Sequence, residues 1–260
     1  MSFAVDAGGV IHALDTVNGR VTTLAEGKTS RAIPLPSDTI DDLDLLDDGG
    51  YLALDRHIAR AVHVLSPEGK ERGRIELRGA EIPEPGLVTA LFARPDGVWV
   101  EVEHRRLVRV GDAAGLPVLE RAVVAGRFAA DGKGTLVASR LPPDRVRVLR
   151  LTPSLEGRPL AEPTFPLPVA MITALEGLPG GGAALAVILH RDSAAPPHAT
   201  EEARHLLVGL GPGGDEQWRA ELPPDEGPEE NLRPVRLGRD GALYGMVFRG
   251  VGVEFWKVQP

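Results

Sequence analysis

Residues 94–103 read RPDGVWVEVE: an Asp-Gly turn at 96–97, then Val98, Val100 and Val102 alternating with Trp99, Glu101 and Glu103. Period-two alternation after a turn dipeptide is the pattern of a β-strand leaving a tight hairpin. Nearly the same phrase returns as DDGGYLALDR at 47–56, ADGKGTLVASR at 130–140, PGGGAALAVILHR at 179–191 and RDGALYGMVFR at 239–249. A phrase repeated at intervals of roughly 35 to 60 residues marks a chain built from one supersecondary unit used several times.

The unit is clearest at 40–77, where IDDLDLL reads as a first strand A, DDGG as the A–B turn, YLALDR as B, RAVHVL as C, SPEG as the C–D turn and GRIEL as D. The same grammar parses 88–121, with VTALFA, VWVEVE, RLVRV and PVLER as strands, and then 125–165 and 171–221. At the C-terminus NLRPVRL, ALYGMVF and VEFWKV supply A, B and C. At the N-terminus SFAVD, VIHALD and RVTTLA read as B, C and D without an A. The total is about 22 strands, which predicts an all-β chain folded as a β-propeller, most simply six blades of three to four antiparallel strands in one domain over 1–260. Strand B of each unit is apolar at most positions, as expected of a strand packed on both faces.

Composition excludes several functions. Cysteine is absent, which removes disulfides, thiolate metal sites and a cysteine nucleophile together. The formal net charge of -8 disfavours nucleic acid and membrane surfaces as partners, because both are polyanions. The first residues, MSFAVDAGGVIHALD, have no basic segment followed by an apolar run, and no stretch approaches the roughly 20 apolar residues of a spanning helix, so the expected compartment is the cytoplasm. Arg outnumbers Lys, and Ala, Pro and Gly are plentiful, a composition of GC-rich bacterial chains. No G-x-S-x-G elbow or G-x-x-x-x-G-K-[ST] loop occurs.

The phrase x-P-D-G-x-W-V at 94–100 and its partner L-x-x-D-G-x-L-Y at 237–244 resemble the blade signatures of six-bladed propellers of the NHL, TolB-like and gluconolactonase-like type. ALDTVNGRV at 13–21 is similar to the hairpin of quinoprotein-type propeller repeats. The resemblance spans nearly the whole chain and implies a fold, since such blades serve unrelated activities.

Long connections, EGKTSRAIPLPSDTID, RGAEIPEPG, LPPDEGPEEN and the B–C excursion RDSAAPPHATEEA, all fall on the D–A and B–C side of the blades, where a ligand or partner is expected. Strand B tends to end in a cation: Arg56 with His57, His104 with Arg105 and Arg106, Arg140, His190 with Arg191, and Arg249. A repeated phase means a repeated place, so Arg56, His104, Arg106, Arg140, Arg191 and Arg249 are expected either to bind an acidic peptide or anion through guanidinium forks or to pair with nearby loop carboxylates. Asp42, Asp44, Glu230 and Asn231 stand near the start of first strands, where oxygen ligands could hold a divalent cation such as calcium. Gluconolactonase-like propellers hold a divalent metal with Glu, Asn and Asp from separate blades, but VTA, VAG and AMIT at the matching positions here depart from that set. His190, Asp192, His198, Glu201, Glu202 and His205 crowd one loop without a zinc spacing, and His12 and His63 read as core histidines at equivalent positions of strand C.

These observations favour a noncatalytic interaction module, a sensor or scaffold subunit of a bacterial multiprotein system without a cofactor, binding a protein or peptide. The alternative is a metal-dependent hydrolase or lactonase. A carbohydrate-binding propeller would need more stacking surface than three Trp and two Tyr supply. The two ends predict two three-stranded blades side by side, one lacking D after Val258 and one lacking A before Ser2. That leaves the apolar strand around Phe255 as an edge open to a partner strand or to a second copy.

Overall fold

In the computed structural model, which describes residues 1–154, 156–196, 199–226, 233–250 and 252–258, each repeated turn phrase closes a hairpin. The reason is local. Asp48 Oδ1 accepts a hydrogen bond from the amide of Gly50 (2.9 Å), Asp131 Oδ1 from Lys133 (3.0 Å) and Asp240 Oδ1 from Ala242 (3.1 Å), so one side chain repeatedly fixes the backbone two residues on. Gly49 (φ 80°) and Gly241 (φ 81°) supply the left-handed residue that this turn requires.

The described residues form 23 strands in six antiparallel sheets, five of four strands and one of three, the blades of a six-bladed β-propeller. The first sheet holds β1 (Phe3–Val5), β2 (Ile11–Asp15), β3 (Arg20–Ala25) and β4 (Lys28–Pro34). The second holds β5 (Asp42–Leu45), β6 (Tyr51–Asp55), β7 (Ala61–Leu65) and β8 (Glu71–Glu76). The third is β9 (Val88–Arg94), β10 (Gly97–Val102), β11 (Arg106–Gly111) and β12 (Val123–Ala125). The fourth is β13 (Arg127–Phe128), β14 (Thr135–Leu141), β15 (Arg145–Leu151) and β16 (Gly157–Ala161). The fifth is β17 (Val169–Gly177), β18 (Ala183–Asp192), β19 (Thr200–Leu210) and β20 (Glu216–Leu222). The last has only β21 (Val235–Leu237), β22 (Leu243–Arg249) and β23 (Gly252–Lys257).

Burial follows strand position. The second and third strands of the second sheet are buried at every residue, whereas β8 (ERGRIE) is mostly exposed and carries both charges. A strand covered on both faces is mostly apolar and keeps polar side chains such as Asp55 and His63 only where they are bonded, and an outer strand with Arg and Glu along it resists pairing with other chains. The chain divides into two compact units: Met1–Val124 with Arg233 and Gly238–Ala242, and the remaining described residues. In the first unit one apolar cluster joins the first and second sheets, with Leu14, Ile33, Leu43 and Tyr51, and another joins the second and third, with Leu54, Ile75, Val100 and Val108. In the second unit, Leu136, Phe165, Leu185 and Val208 join the fourth and fifth sheets, while Leu207, Leu243, Trp218 and Trp256 join the fifth and last.

Several sequence expectations are corrected. The N-terminal blade is complete: SFAVD contains its first strand, VIHALD the second, RVTTLA the third, and KTSRAIP, read as loop, is the fourth. Five of its seven residues are exposed in succession, so β4 has no apolar alternation and is held by its ladder to β3. Only one three-stranded blade therefore exists among the described residues, and the expected pair of short blades is replaced by one complete and one short. The shift also puts His12 on the second strand of its sheet and His63 on the third of its own, which removes their equivalence. PVLER contributes one isolated bridge, Gly111 to Pro117, and the fourth strand of that blade is β12. The B–C excursion is a hairpin rather than a loop, since Arg191 pairs with Glu202 and Asp192 with Thr200.

Candidate functional site

The acids expected at a metal site tie two blades together. Asp42, fully buried, accepts from the Leu91 amide through Oδ2 (2.8 Å), and its Oδ1 accepts from the Leu43 amide (2.9 Å) and from Ser2 Oγ. Asp44 repeats the contact one pleat on, with Oδ2 accepting from Ala93 N (2.9 Å) and Oδ1 from Leu45 N (2.9 Å). Both carboxylates thus span from β5 to the backbone of β9. The buried Arg233 guanidinium lies 3.8 Å from Asp42 Oδ2, donates to Leu91 O (3.1 Å) and sits 4.7 Å from the Phe92 ring centroid. In the second unit Arg127 of β13 likewise meets Glu176 of β17 (3.1 Å) and donates to Leu175 O (3.2 Å). Glu230 and Asn231 lie outside the described residues. Among the described residues no three His, Asp or Glu side chains gather as a metal site.

The six expected cations each meet a group of their own chain. Arg56 donates to Val88 O on β9 (3.1 Å) and lies 3.6 Å from Asp41, whose carboxyl pKa burial raises, opposed by the Arg56 amide and charge. Arg106 donates to Glu81 O (3.2 Å), Arg140 to Val169 O (3.3 Å) and to Ala170 O. His104 meets Glu101 (3.1 Å), Arg191 meets Glu202 (2.8 Å), and Arg249 bridges Glu254 (2.9 Å) and Glu226 (3.2 Å). Arg56 and Arg140 cap the first strand of the following blade. Arg106 and Arg249 hold the loop that leads into their own.

The histidine-rich excursion disperses on the hairpin. His190 contacts Asp192 (3.1 Å) and Thr200 (3.0 Å), His205 bonds Thr173 Oγ1 (2.7 Å) on β17, and His198 lies outside the described residues. Phe255 lies half-buried on β23, the outer strand of the three-stranded sheet.

Among the described residues, the first unit holds at least two concave surfaces. One, of about 300 Å³, opens beside the A–B and C–D turns, and its Arg72 and Arg239 are paired with Asp48 and Asp47. A second, of about 380 Å³, lies between the β6–β7 turn and the loop after β8, with Arg60, Arg74, Glu76 and Arg78 in its lining and Glu81 Oε2 beside its Gly79. Sequence reasoning passed over these three arginines. None occupies the end of strand B, and only the fold brings residue 60 beside residues 74 and 78.

No protein-family model matches the chain, and no curated protein matches it. Solved structures share its fold. A structure described as streptogramin B lyase aligns over 100% of this chain and 83% of its own at 12% identity and a TM-score of 0.51. A member of the DUF4221 family from Bacteroides vulgatus aligns over 99% of this chain and 93% of its own at 10% identity and a TM-score of 0.55. At such identities the likeness is one of fold alone.

Proposed function

We propose that this chain is a noncatalytic β-propeller interaction module, a sensor or scaffold subunit of a bacterial multiprotein system, that takes a partner's strand along β23. The observation carrying this reading is that, among the described residues, the last sheet has three strands where every other has four. Val258 N donates to Leu243 O (2.9 Å), so with the observed register the amides of the even residues face β22 and that of Val253 faces the outer edge. Added strands dock on such an edge through main-chain hydrogen bonds, with alternate side chains setting specificity. The sequence GVEFWK places Val253 and Phe255 where β8 places charged residues.

The test is association of the purified chain, alone and with candidate partners, by light scattering after size exclusion. Val253→Pro removes an outward amide and no bond of the β22 ladder, and Phe255→Lys adds an edge charge. The double variant should lose association and keep its melting behaviour. A wild type that is monomeric and takes up no partner strand would defeat the reading.

A further inference from the structure

We infer that the groove of about 380 Å³ between the β6–β7 turn and the loop after β8 binds an acidic, extended peptide segment. The inference rests on the interaction-module reading and gives it a second, chemically distinct surface. Arg60, Arg74 and Arg78 line the groove with Glu76, and Glu81 Oε2 and Arg121 Nη1 both lie beside Gly79 at its rim, so cations outnumber carboxylates there on a chain whose formal net charge is -8. A local cationic patch on an anionic molecule attracts a short acidic segment while the surrounding field repels a long polyanion such as nucleic acid.

The guanidiniums are available in different degrees. Arg60 is exposed and makes no side-chain hydrogen bond or ion pair among the described residues. Arg74 donates through Nη2 to Ala59 O (2.7 Å), one of its five N–H donors, and Arg78 pairs with Glu76 (2.9 Å) at a largely exposed position. Arg60 also holds a left-handed backbone (φ 53°), where glycine or asparagine sits with less strain, so the position carries its arginine against local preference.

The wall is built before any ligand arrives. Arg121 donates to Glu76 O (3.1 Å) and to Arg78 O, Arg106 donates to Glu81 O (3.2 Å), and Pro83 and Pro85 stiffen the rest of the loop. Ile82 and Leu77 are buried beneath it. A preformed groove spares the ordering entropy that a flexible loop would lose, and guanidinium forks match carboxylates in bidentate geometry. Arg106, expected from the sequence either to bind a ligand or to pair within the chain, holds the loop here through Glu81 O.

Binding of a fluorescein-labelled short peptide of Asp, Glu and Leu would be followed by anisotropy, with a Lys-Leu peptide and a single-stranded oligonucleotide as comparison probes. The acidic peptide should bind, weaken as salt rises from roughly 50 to 500 mM, and lose at least about tenfold affinity in Arg60→Ala/Arg74→Ala/Arg78→Ala. Arg60→Glu alone, at an exposed side chain, should weaken binding without altering the melting temperature, which keeps the test informative if the triple variant unfolds. Equal binding by wild type and Arg60→Glu, no binding of the acidic peptide, or tighter binding of the oligonucleotide would overturn the inference. The β23 double variant should bind the peptide normally, so failure at the groove and failure at the edge are separable.

Discussion

Asp42 shows how one residue's surroundings decide its chemistry. An Asp near the start of a first strand has the ligand chemistry for a hard cation, yet its oxygens here accept from Leu91 N, Leu43 N and Ser2 Oγ with Arg233 beside them. Asp42→Ala would leave a buried guanidinium and a buried amide without this acceptor, and the expected cost is about 3–5 kcal/mol by denaturant unfolding. Asp44→Ala, at a half-buried site, should cost about 1–2 kcal/mol. Added calcium should leave the wild-type melting temperature unchanged; a calcium-dependent rise that disappears in Asp42→Ala would restore the metal reading. His12 and His205 set a pH dependence. Burial lowers both pKa values below 6.5, opposed at His12 by Asp6 and at His205 by Asp225. Below that pH the unfolded chain binds more protons at these sites than the folded one, so stability falls as pH drops through 6.5. A thermal-melt series from about pH 7 to about pH 5.5 should show a steeper loss in wild type than in His12→Gln/His205→Gln.

At the scale of the element, two tryptophans cover glycines on neighbouring strands. Trp218 of β20 lies over Gly209 of β19, and Trp256 of β23 over Gly245 of β22, and both indoles join the apolar cluster of the fifth and last sheets. A Cβ at Gly245 would overlap the Trp256 indole, so Gly245→Ala must displace the ring from that cluster. The expected destabilisation is about 1–3 kcal/mol, seen as a lower denaturant midpoint with an unchanged slope. If the variant melts like wild type, the indole is not held against the strand. The glycines at 209 and 245 were readable as letters, but their reason lies in a side chain on the adjacent strand, which pairing alone brings into register.

For the whole molecule, regular structure among the described residues is strand apart from two three-residue 3-10 turns, Pro85–Leu87 and Pro179–Gly181. No helix of the described residues is long and apolar enough to cross a membrane. Far-UV circular dichroism should therefore give a β-type spectrum with helix content below about 10%, and a value above about 20% would contradict the propeller. The cations expected at the ends of strand B are spent internally, since Arg56, Arg106, Arg140 and Arg249 all reach backbone carbonyls of the chain itself and His104 and Arg191 meet its carboxylates.

The sequence by itself determined the fold class, the turns and the identity of most strands. Those features rest on local physics: Asp-Gly chemistry at 48–50, 131–133 and 240–242, and apolar runs such as YLALD and ALAVIL that are of strand length and bounded by turn residues. It misplaced KTSRAIP because an outer strand with little buried surface carries no periodic signal, and that single strand shifted the register of the whole N-terminal blade. The tertiary structure alone decided what each charge does. Whether Asp42 faces a cation or an amide of β9, and whether Arg60 stands alone or beside Arg74 and Arg78, depends on contacts between residues far apart in the chain, and the strength of a charge's interaction is set by distance and burial.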